Sequence, residues 1–435
     1  MSRSRRVASP GSVRSGPAPK RWLWWMFAAA LAAGAAFYAP RISLAVHRDR
    51  LKQMSEERLR AEVSTRPADV DARYQFALAL GRSGQHLDAI RELLTVLQRD
   101  PLRPEALNDL GALYLLEGRY YESLVSLRQA LAARPNYALA YANLGRLHVA
   151  TKMPFTAARE LQRAVELDPN NIDSLIDLGE AYQRTLNYSQ ARQTYARVLK
   201  LRPNSQRARI GLGKTLFSLA DYAGAESTLR QVLATSPSDA SALSSLGRLK
   251  LETATTDEGL QAARDLLRQA VRSDAADPEG WYDLGRVAVK QRKPAQAVEF
   301  FRRATQLSPD HPGAHYQLGM ALQLAGKEAE GRRVLAEFRM TSLRSREQGQ
   351  LEEQLYQNPK DWDAMARLAE IDLETGQLPI AALRCQQLGQ GAPTHPKLAG
   401  LIEQLARKNA AAAASRPSAS GSPGSTNPLS APPSP

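Results

Sequence analysis

Cysteine is nearly absent from this chain: Cys385 is the only one among 435 residues. A lone thiol excludes an intramolecular disulfide and any metal site built from several cysteines. Aromatic residues are also few, at 6%, while charged and apolar residues make up 23% and 43%, a balance typical of folded globular chains. At this length the chain is too large for one ordinary domain unless its architecture is elongated.

The chain has no excess of acidic residues, because 58 Lys and Arg outnumber 44 Asp and Glu and give a net charge of +14. Basic chains can bind nucleic acid by releasing counterions from phosphates. The excess is confined to the ends, however: residues 1–66 carry a net +9, residues 406–435 carry +3, and residues 67–405 hold 42 basic and 40 acidic residues. The body lacks the charge footprint of a nucleic-acid-binding domain, so we expect no nucleic-acid partner.

Recognisable catalytic groupings are missing as well. No nucleophile stands in a pattern that would place a base beside it, so we predict no enzyme, no catalytic residue and no cofactor. His311 and His315 are four residues apart, but Pro312 suggests that His311 precedes the helix that would align them. Since no acidic residue lies at ligand spacing beside them, we predict no metal site.

One stretch, RIGLGKTLFSLADY, contains the end of a phosphate-loop pattern in Gly213, Lys214 and Thr215. That loop needs another glycine five residues before Gly213, and that position is Ala208. A phosphate cradle also needs a loop that leads into a helix N-terminus, whereas the repeat described below places these residues inside a helix. We predict no nucleotide site here.

The longest apolar run lies near the amino terminus, where Trp22–Ala39 carries no charge. Its 18 residues would form a helix of about 27 Å, close to the thickness of the hydrocarbon core of a bilayer. Tryptophans begin the run, and Phe37 and Tyr38 end it, as expected for aromatic side chains at the two membrane interfaces. We predict a transmembrane helix that anchors the chain in the lipid bilayer.

Two alternatives to a retained anchor stay open. Ala33, Gly34 and Ala35 could form the cleavage site of a secretory signal, which would leave a secreted soluble adaptor. A buried apolar helix is the other alternative, disfavoured by three tryptophans within four residues. Six basic residues precede the run, so we predict a cytoplasmic N-terminus and an extracytoplasmic body, periplasmic in a bacterium.

A repeat of 34 residues dominates the rest of the chain. Six prolines recur at this spacing: Pro67, Pro101, Pro135, Pro169, Pro203 and Pro237. Counted from each proline, the fifth and twenty-second residues are small, the tenth is usually glycine, and the twenty-sixth is larger, mostly leucine. Small residues let helix backbones approach closely, and the larger one fills the gap beside them. Each unit is therefore predicted to be a pair of antiparallel helices, and the stacked pairs share one continuous core.

Two departures interrupt the register. In the sixth unit the small residue and its large partner come four residues late, at Ala263 and Leu267, so we expect an insertion that lengthens the turn between its helices. The count resumes from Ala275 and again from Pro309. A ninth, weaker unit opens at Pro359, and the preceding segment, FRMTSLRSREQGQLEEQLYQN, is predicted to be an extended or extra helix.

This pattern resembles the tetratricopeptide repeat (TPR), whose units read W-x2-L-G-x2-Y…A-x3-F…A…P. The best-matching unit contains Trp281, Leu284, Gly285, Ala297, Phe301, Ala304 and Pro309. The resemblance covers about residues 67–388 and departs from the family where the third aromatic is missing, as at Lys250 and Ala288. It implies an all-α fold, a right-handed superhelical solenoid of about nine antiparallel helix pairs, here preceded by one transmembrane helix.

The resemblance also implies that the first helix of each pair lines a concave wall, where TPR proteins hold extended peptides or partner domains. The residue after the tenth position lies on that wall, and four of the five in units three to seven are basic. The predicted partner-binding residues are Asn108, Asn143, Arg146, Lys214, Arg248, Tyr282, Arg286 and Tyr316. We interpret them as a groove for an acidic or carboxylate-bearing polypeptide. The alternative is a solvated wall whose charges pair locally, as Asp283 and Arg286 can at a spacing of three.

The sequence predicts five segments. They are residues 1–21, a basic disordered cytoplasmic terminus; 22–39, the membrane helix; 40–66, a juxtamembrane helix or linker; 67–405, the TPR solenoid; and 406–435, a disordered tail rich in Ala, Ser and Pro. A single span followed by repeats resembles the layout of bacterial inner-membrane assembly and biogenesis factors. We predict a membrane-tethered scaffold that binds other proteins during assembly of an envelope complex. The alternative of another class, an enzyme with its site on the concave wall, would need a clustered acid, base or nucleophile.

Overall fold

The computed structural model describes residues 47–309 and 311–414. The predicted membrane segment Trp22–Ala39 and residues 415–435 of the predicted tail lie outside this range. Residues 406–414, at the start of that predicted tail, are helical. None of the helices within the described ranges is both long enough and apolar enough to cross a bilayer.

Helices are the regular elements of the described residues. After a short helical stretch at residues 47–52 they are α1 Glu56–Thr65, α2 Val70–Arg82, α3 His86–Arg99, α4 Pro104–Leu116, α5 Tyr120–Ala133, α6 Ala138–Ala150, α7 Pro154–Leu167, α8 Ile172–Arg184, α9 Tyr188–Leu201, α10 Gln206–Ser218, α11 Tyr222–Thr235, α12 Ala240–Thr253, α13 Asp257–Ser273, α14 Pro278–Lys290, α15 Pro294–Leu307, α16 Pro312–Leu324, α17 Glu328–Gln357, α18 Trp362–Glu374, α19 Leu378–Gly391 and α20 Leu398–Ala414.

Two compact units divide the chain, Met1–Pro101 and Leu102–Pro435. The first unit contains α1 and one helix pair, α2 with α3, and the second contains eight pairs, from α4 with α5 to α18 with α19, followed by α20. Within the second unit, the second helix of each pair also packs against the first helix of the next pair. This stacking of sequence neighbours is the packing of a helical solenoid, and it confirms the predicted all-α repeat fold.

The tenth-position glycines allow the two helices of a pair to approach closely. A Cβ placed on Gly145 would come within 2.4 Å of Cγ of Leu161, the twenty-sixth residue of the same unit. The same contact recurs at Gly213, whose Cβ would lie 2.8 Å from Leu229. Because Gly213 lies inside α10, the GKT stretch is a packing surface, as predicted, rather than a nucleotide loop.

The insertion in the sixth unit does not lengthen its turn, so that prediction was wrong. The turn at residues 254–256 is as long as the turn at residues 219–221 of the preceding unit. The four extra residues extend the helices instead, because α12 and α13 have 14 and 17 residues where α10 and α11 have 13 and 14. Helix α13 begins six residues before its small residue Ala263, whereas α11 begins three residues before Ala225. Thr256 makes this longer first turn possible, since its hydroxyl oxygen accepts the N–H of Gly259 at 3.2 Å and caps the helix.

The segment before the ninth unit is one continuous helix, which confirms the predicted extension. Helix α17 runs for 30 residues, about twice the length of most other helices. It packs against α16 and also against α18 of the ninth pair. It therefore fills the stretch between the eighth and ninth units with helix, and a short turn at residues 358–361 leads into α18.

The turn between the helices of a pair usually contains one residue with positive φ. Glycine fills this position at Gly84, Gly118, Gly326 and Gly376, whereas Lys152, Leu186, Ala220 and Arg292 adopt φ values from 57° to 60°. The left-handed conformation costs an L-residue about 1–2 kcal/mol because its Cβ crowds the following carbonyl. These four turns therefore contain local strain that the packed helices impose.

Replacing Leu186 with glycine should relieve this strain. Leu186 is 70% exposed, so little burial is lost, and Leu186→Gly should raise the free energy of unfolding by about 0.5–1 kcal/mol. The matched control is Leu343→Gly, since Leu343 is 64% exposed but lies within α17, where glycine should cost about 0.5–1 kcal/mol. Urea denaturation followed by circular dichroism measures both changes, and destabilisation by both variants would contradict the strain.

Candidate functional site

The first helices of the second unit present a regular face that we call the inner wall. It comprises the fourth, eighth and eleventh residues counted from the first residue of each 34-residue repeat. In the fifth repeat these are Arg207, Gly211 and Lys214 on α10. Residues spaced by four and seven lie on one side of a helix, so each repeat contributes a short stripe to the wall.

Side chains of the inner wall pair between consecutive repeats. In the third and sixth repeats the eleventh residue reaches the fourth or eighth residue of the next repeat. Arg286 of the seventh repeat instead pairs with its own repeat and the preceding one. Arg146 donates from Nε to Asp177 at 2.6 Å, and Arg248 donates from Nε to Asp283 at 2.6 Å and also contacts Glu279. Most of the predicted wall cations are therefore already neutralised within the wall, which supports the alternative of local pairing for those residues.

Asp283 is the most buried of the wall carboxylates, with none of its surface exposed. Burial raises the pKa of Asp283, while the guanidinium groups of Arg248 and Arg286 oppose that change. Arg286 lies 3.2 Å from Asp283 and donates a second hydrogen bond to Glu252 at 2.6 Å. The predicted local pair of Asp283 and Arg286 is thus present and forms part of a larger network.

Two of the predicted partner-binding residues have little exposed surface. Asn108 and Asn143 are 3% and 8% exposed, and the Asn143 amide donates to Oδ1 of Asn108 at 2.9 Å. Arg146 in turn donates to Oδ1 of Asn143 at 3.0 Å. The asparagines therefore orient Arg146 from beneath the wall, and we assign them a positioning role.

The predicted aromatic residues lie at the far end of the wall. Tyr282 packs against His311 with 4.7 Å between ring centroids, and burial raises the pKa of its hydroxyl. Tyr316 is 43% exposed and packs against Phe338. Nδ1 of His311 accepts the N–H of Ala314 at 3.1 Å, so this histidine caps α16, as its predicted place before the helix required.

Lys214 differs from the other predicted wall cations. The fourth and eighth residues of the next repeat are Ser241 and Ser245, where the second, fourth and seventh repeats have carboxylates. The Lys214 ammonium donates to Oγ of Ser241 at 3.1 Å, and no carboxylate of the described residues forms an ion pair with it. The Lys214 residue as a whole is exposed to solvent, whereas its ammonium group lies close to surrounding atoms of the wall. Burial is the main cause that lowers the pKa of Lys214, and the charge of Arg248 adds to it.

Two adjoining cavities of about 510 and 980 Å³ meet at Lys214. We call them the Lys214 recess; both are lined by Lys214, Ser241, Arg248 and Glu279. Phe217 contributes apolar surface to the smaller cavity. The recess thus combines an ammonium that has no ion-pair partner, serine hydroxyls and apolar surface, and acidic side chains such as Glu180, Asp277 and Glu279 also line it. Its ammonium and hydroxyls can bind a carboxylate attached to a less polar chain.

The glycine at the eighth position of the fifth repeat helps to leave this space open. A Cβ on Gly211 would come within 2.4 Å of the Tyr195 ring, which takes the place of the usual leucine. The Tyr195 hydroxyl donates to Oε1 of Gln183 at 3.1 Å, and the Gln183 amide donates to the Gly211 carbonyl at 3.0 Å. The floor beside Lys214 is therefore rigid, because ring packing and hydrogen bonds both restrain it.

Sequence reasoning missed two residues of the recess, Arg207 and Ser241. Both occupy the fourth position of their repeats, seven residues before Lys214 and Arg248 respectively. Arg207 pairs with Glu180 at 3.1 Å, and Ser241 holds the Lys214 ammonium. Extending the wall pattern by one more helical turn toward the N-terminus would have identified them.

Clusters of three or more potential metal ligands are not found within residues 47–309 and 311–414. His311 and His315 each have a hydrogen-bond partner. Nδ1 of His311 caps α16, and Nε2 of His315 lies 2.8 Å from the Pro309 carbonyl. Cys385 is 3% exposed, and burial raises the pKa of its thiol. This is the environment of an inert structural thiol.

Family comparisons agree with this architecture. Five models, each described as a tetratricopeptide repeat, match residues 49–106, 104–137, 160–193, 187–249, 256–312 and 282–337. Together they span more than half of the chain, which belongs to the TPR family. TPR arrays mediate protein–protein interactions, so the protein is an interaction scaffold, and the matches indicate no enzyme family. No curated protein sequence matches the chain significantly.

The chain is similar to several solved structures. A TPR protein from Parabacteroides merdae is similar with a TM-score of 0.50 and 17% identity, covering 58% of this chain and 98% of that one. A MamA fragment from Desulfovibrio magneticus has 27% identity and a TM-score of 0.32 over 40% and 96% of the two chains. Pseudomonas aeruginosa pilF has 21% identity and a TM-score of 0.40 over 50% and 96%. At 17% identity, the likeness to the Parabacteroides protein concerns the fold alone.

The network around Asp283 should contribute measurably to stability. Arg248→Ala leaves this buried carboxylate with one guanidinium instead of two, so we expect a loss of about 1–3 kcal/mol. The control is Arg230→Ala, because Arg230 pairs with Glu226 on an exposed helix face, where a pair contributes about 0.5 kcal/mol or less. Urea unfolding midpoints compare the two variants. Equal midpoints would show that the buried network contributes no more to stability than an exposed ion pair.

Proposed function

We propose that the inner wall binds an extended acidic segment of another protein and that the Lys214 recess is its anchoring point. The observation that carries this proposal is the missing carboxylate: Lys214 is a wall cation without the ion-pair partner that Arg146 and Arg248 have. A carboxylate supplied by a partner would complete the regular pairing of the wall.

Position and chemistry both support a carboxylate ligand. The partner's carboxylate would take the place relative to Lys214 that Asp283 takes relative to Arg248. Ser241 and Ser245 could donate hydrogen bonds from their hydroxyls, and hydrogen bonds to charged groups contribute about 1.5–3 kcal/mol each. Because the wall is already ordered by its own ion pairs, binding would require little further ordering of side chains.

The wall pairs also determine which residues can be tested. Arg146, Arg248 and Arg286 each neutralise a wall carboxylate, so replacing them with glutamate would damage the wall itself. Lys214 contributes no such pair. Its substitution therefore separates loss of binding from loss of structure.

The binding test uses a fluorescent hexaglutamate peptide with a free C-terminus as the probe. Lys214→Glu should weaken its affinity by about tenfold or more, equivalent to about 1.4 kcal/mol, because attraction becomes repulsion. Lys200→Glu makes the same charge change at an exposed lysine of α9, outside the residues that line the recess, and should change the affinity less than twofold. Fluorescence anisotropy at fixed salt measures both, and equal loss in the two variants would indicate a nonspecific charge effect.

We also propose that Trp22–Ala39 tethers the scaffold to a membrane and that the scaffold serves in the assembly of an envelope complex. The length of this apolar run and its flanking aromatic residues support an anchor. The preceding basic residues support a cytoplasmic N-terminus, which would place the repeats outside the cytoplasm, in the periplasm of a bacterium. Cleavage near Ala35 would instead produce a secreted adaptor.

Membrane fractionation distinguishes the anchor from the cleaved signal. The full chain should stay in the membrane pellet after carbonate extraction, and a chain lacking residues 22–39 should appear in the supernatant. Mass spectrometry of the mature N-terminus should find the segment Trp22–Ala39 intact. A mature chain that starts near Ala36 would refute the anchor and leave the secreted adaptor.

A further inference from the structure

The second unit closes on itself through helices that are far apart in sequence. Helix α19 packs against α5, and α17 packs against α7. Leu383 of α19 lies in one buried cluster with Leu124, Leu127, Leu144 and Leu147. We use the name seam for this contact. One side consists of α17, α18 and α19, and the other of α5, α6, α7 and the turn that precedes α7. It is additional to the stacking of consecutive pairs.

A buried arginine crosses the seam. Arg384 is 1% exposed, and its Nη2 donates to the Thr151 carbonyl at 3.3 Å across 233 residues of sequence. Its own side of the seam supplies two carboxylates, with Nη1 at 3.0 Å from Asp372 and Nη2 at 3.8 Å from Glu352. At the edge of the seam, the Gln390 amide donates to the Tyr121 hydroxyl.

We propose that the seam is a reversible gate that opens and closes the second unit while its helix pairs stay folded. The gate would control passage of a long partner segment to the inner wall, because a cavity of about 410 Å³ beside the seam shares Arg184 with the larger cavity at Lys214. The role of the gate in admitting a partner rests on the function proposed above, whereas its opening and closing do not depend on what the Lys214 recess binds.

The polar centre of the seam is poorly satisfied, which favours reversibility. Both carboxylate oxygens of Asp372 and Nη1 of Arg384 lack a well-oriented hydrogen bond, although the two groups lie 3.0 Å apart. Removing charges from water costs several kcal/mol per ion, and mutual attraction offsets this only when the geometry is good. Opening would return these groups to water, so it recovers part of the energy lost with the packing.

The seam should also respond to pH. Burial raises the pKa of Glu352 to about 7 and that of Asp372 to about 6, and Arg384 opposes both changes. The other charged or titratable groups that face this cluster or line its cavity are Lys152, Arg159, Arg184, His315, Arg344 and the Cys385 thiol, which interacts with Asp372. Because the closed seam has the raised pKa values, it binds more protons than the open one between about pH 4.5 and 7. Closure is therefore favoured in acid and weakens as the pH rises through 7.

Distance measurements between spin labels on the two sides of the seam test the gate in the full chain. Arg128 and Gln386 are exposed on α5 and α19, and each is replaced by cysteine in a Cys385→Ser background. We expect one short distance at pH 5.5 and a second, longer population at pH 8. Deprotonation of Glu352 alone should raise the ratio of open to closed molecules about tenfold or more between pH 5.5 and pH 8.

Two further variants make the outcome decisive. Glu352→Gln keeps the shape of the side chain but does not titrate, so most of the pH response should disappear. Arg384→Ala should make the longer distance dominant at both pH values. A control pair of labels at exposed Gln162 and Gln193, on α7 and α9, should keep one distance throughout, because consecutive pairs stay stacked.

A seam that keeps one short distance at both pH values and in Arg384→Ala would overturn the proposal. If Arg384→Ala loses helix content by circular dichroism, the ninth pair has unfolded, and Glu352→Gln then decides. An unchanged pH response in Glu352→Gln would refute the assignment of the gate to this cluster.

Discussion

The contact between a glycine of each first helix and a large side chain of the second helix determines the rest of the structure. At Gly145 and Gly213 there is no room for even a methyl group beside Leu161 and Leu229, so the helices of a pair approach at one distance and in one register. Pairs with the same internal geometry stack in the same way. Equivalent positions of successive first helices therefore fall on one wall, at regular separations that side chains can bridge.

That regularity turns the inner wall into a sequence of ion pairs. Arg146 and Arg248, at the eleventh position, meet carboxylates of the next repeat, so that repeat determines their charge balance. Arg286 instead pairs with Asp283 of its own repeat and Glu252 of the preceding one. Arg248 meets Glu279 and Asp283 and is neutralised, while Lys214 meets two serines and is not. The basic character inferred from the composition of the wall is therefore mostly internal, and the part that remains available to a partner is local.

Much of the fold follows from the sequence because its determinants are local and periodic. The helix pairs, the long α17 and the place of His311 before its helix all depend on residues within one repeat. The inserted residues of the sixth unit were assigned to the turn because spacing alone does not show where a helix begins. One of the four extends α12, and the helix capped by Thr256 includes the other three in α13. The wall residues were identified by position, but whether each is paired depends on the next repeat, so Lys214 could be recognised as different only when both stripes were compared.

The seam had no sequence signal of this kind, since Arg384 and Thr151 are separated by six repeat boundaries and share no register. Stacked repeats gain stability from their own packing and from their nearest neighbours, and a contact between distant repeats is an addition to that sum. Losing it removes the contacts of Leu383 and Arg384 across the seam but leaves the core of every helix pair intact. Because each repeat packs mainly against its neighbours, the fold can be predicted from the period of the sequence. For the same reason a distant contact can form and break without unfolding the repeats that it joins.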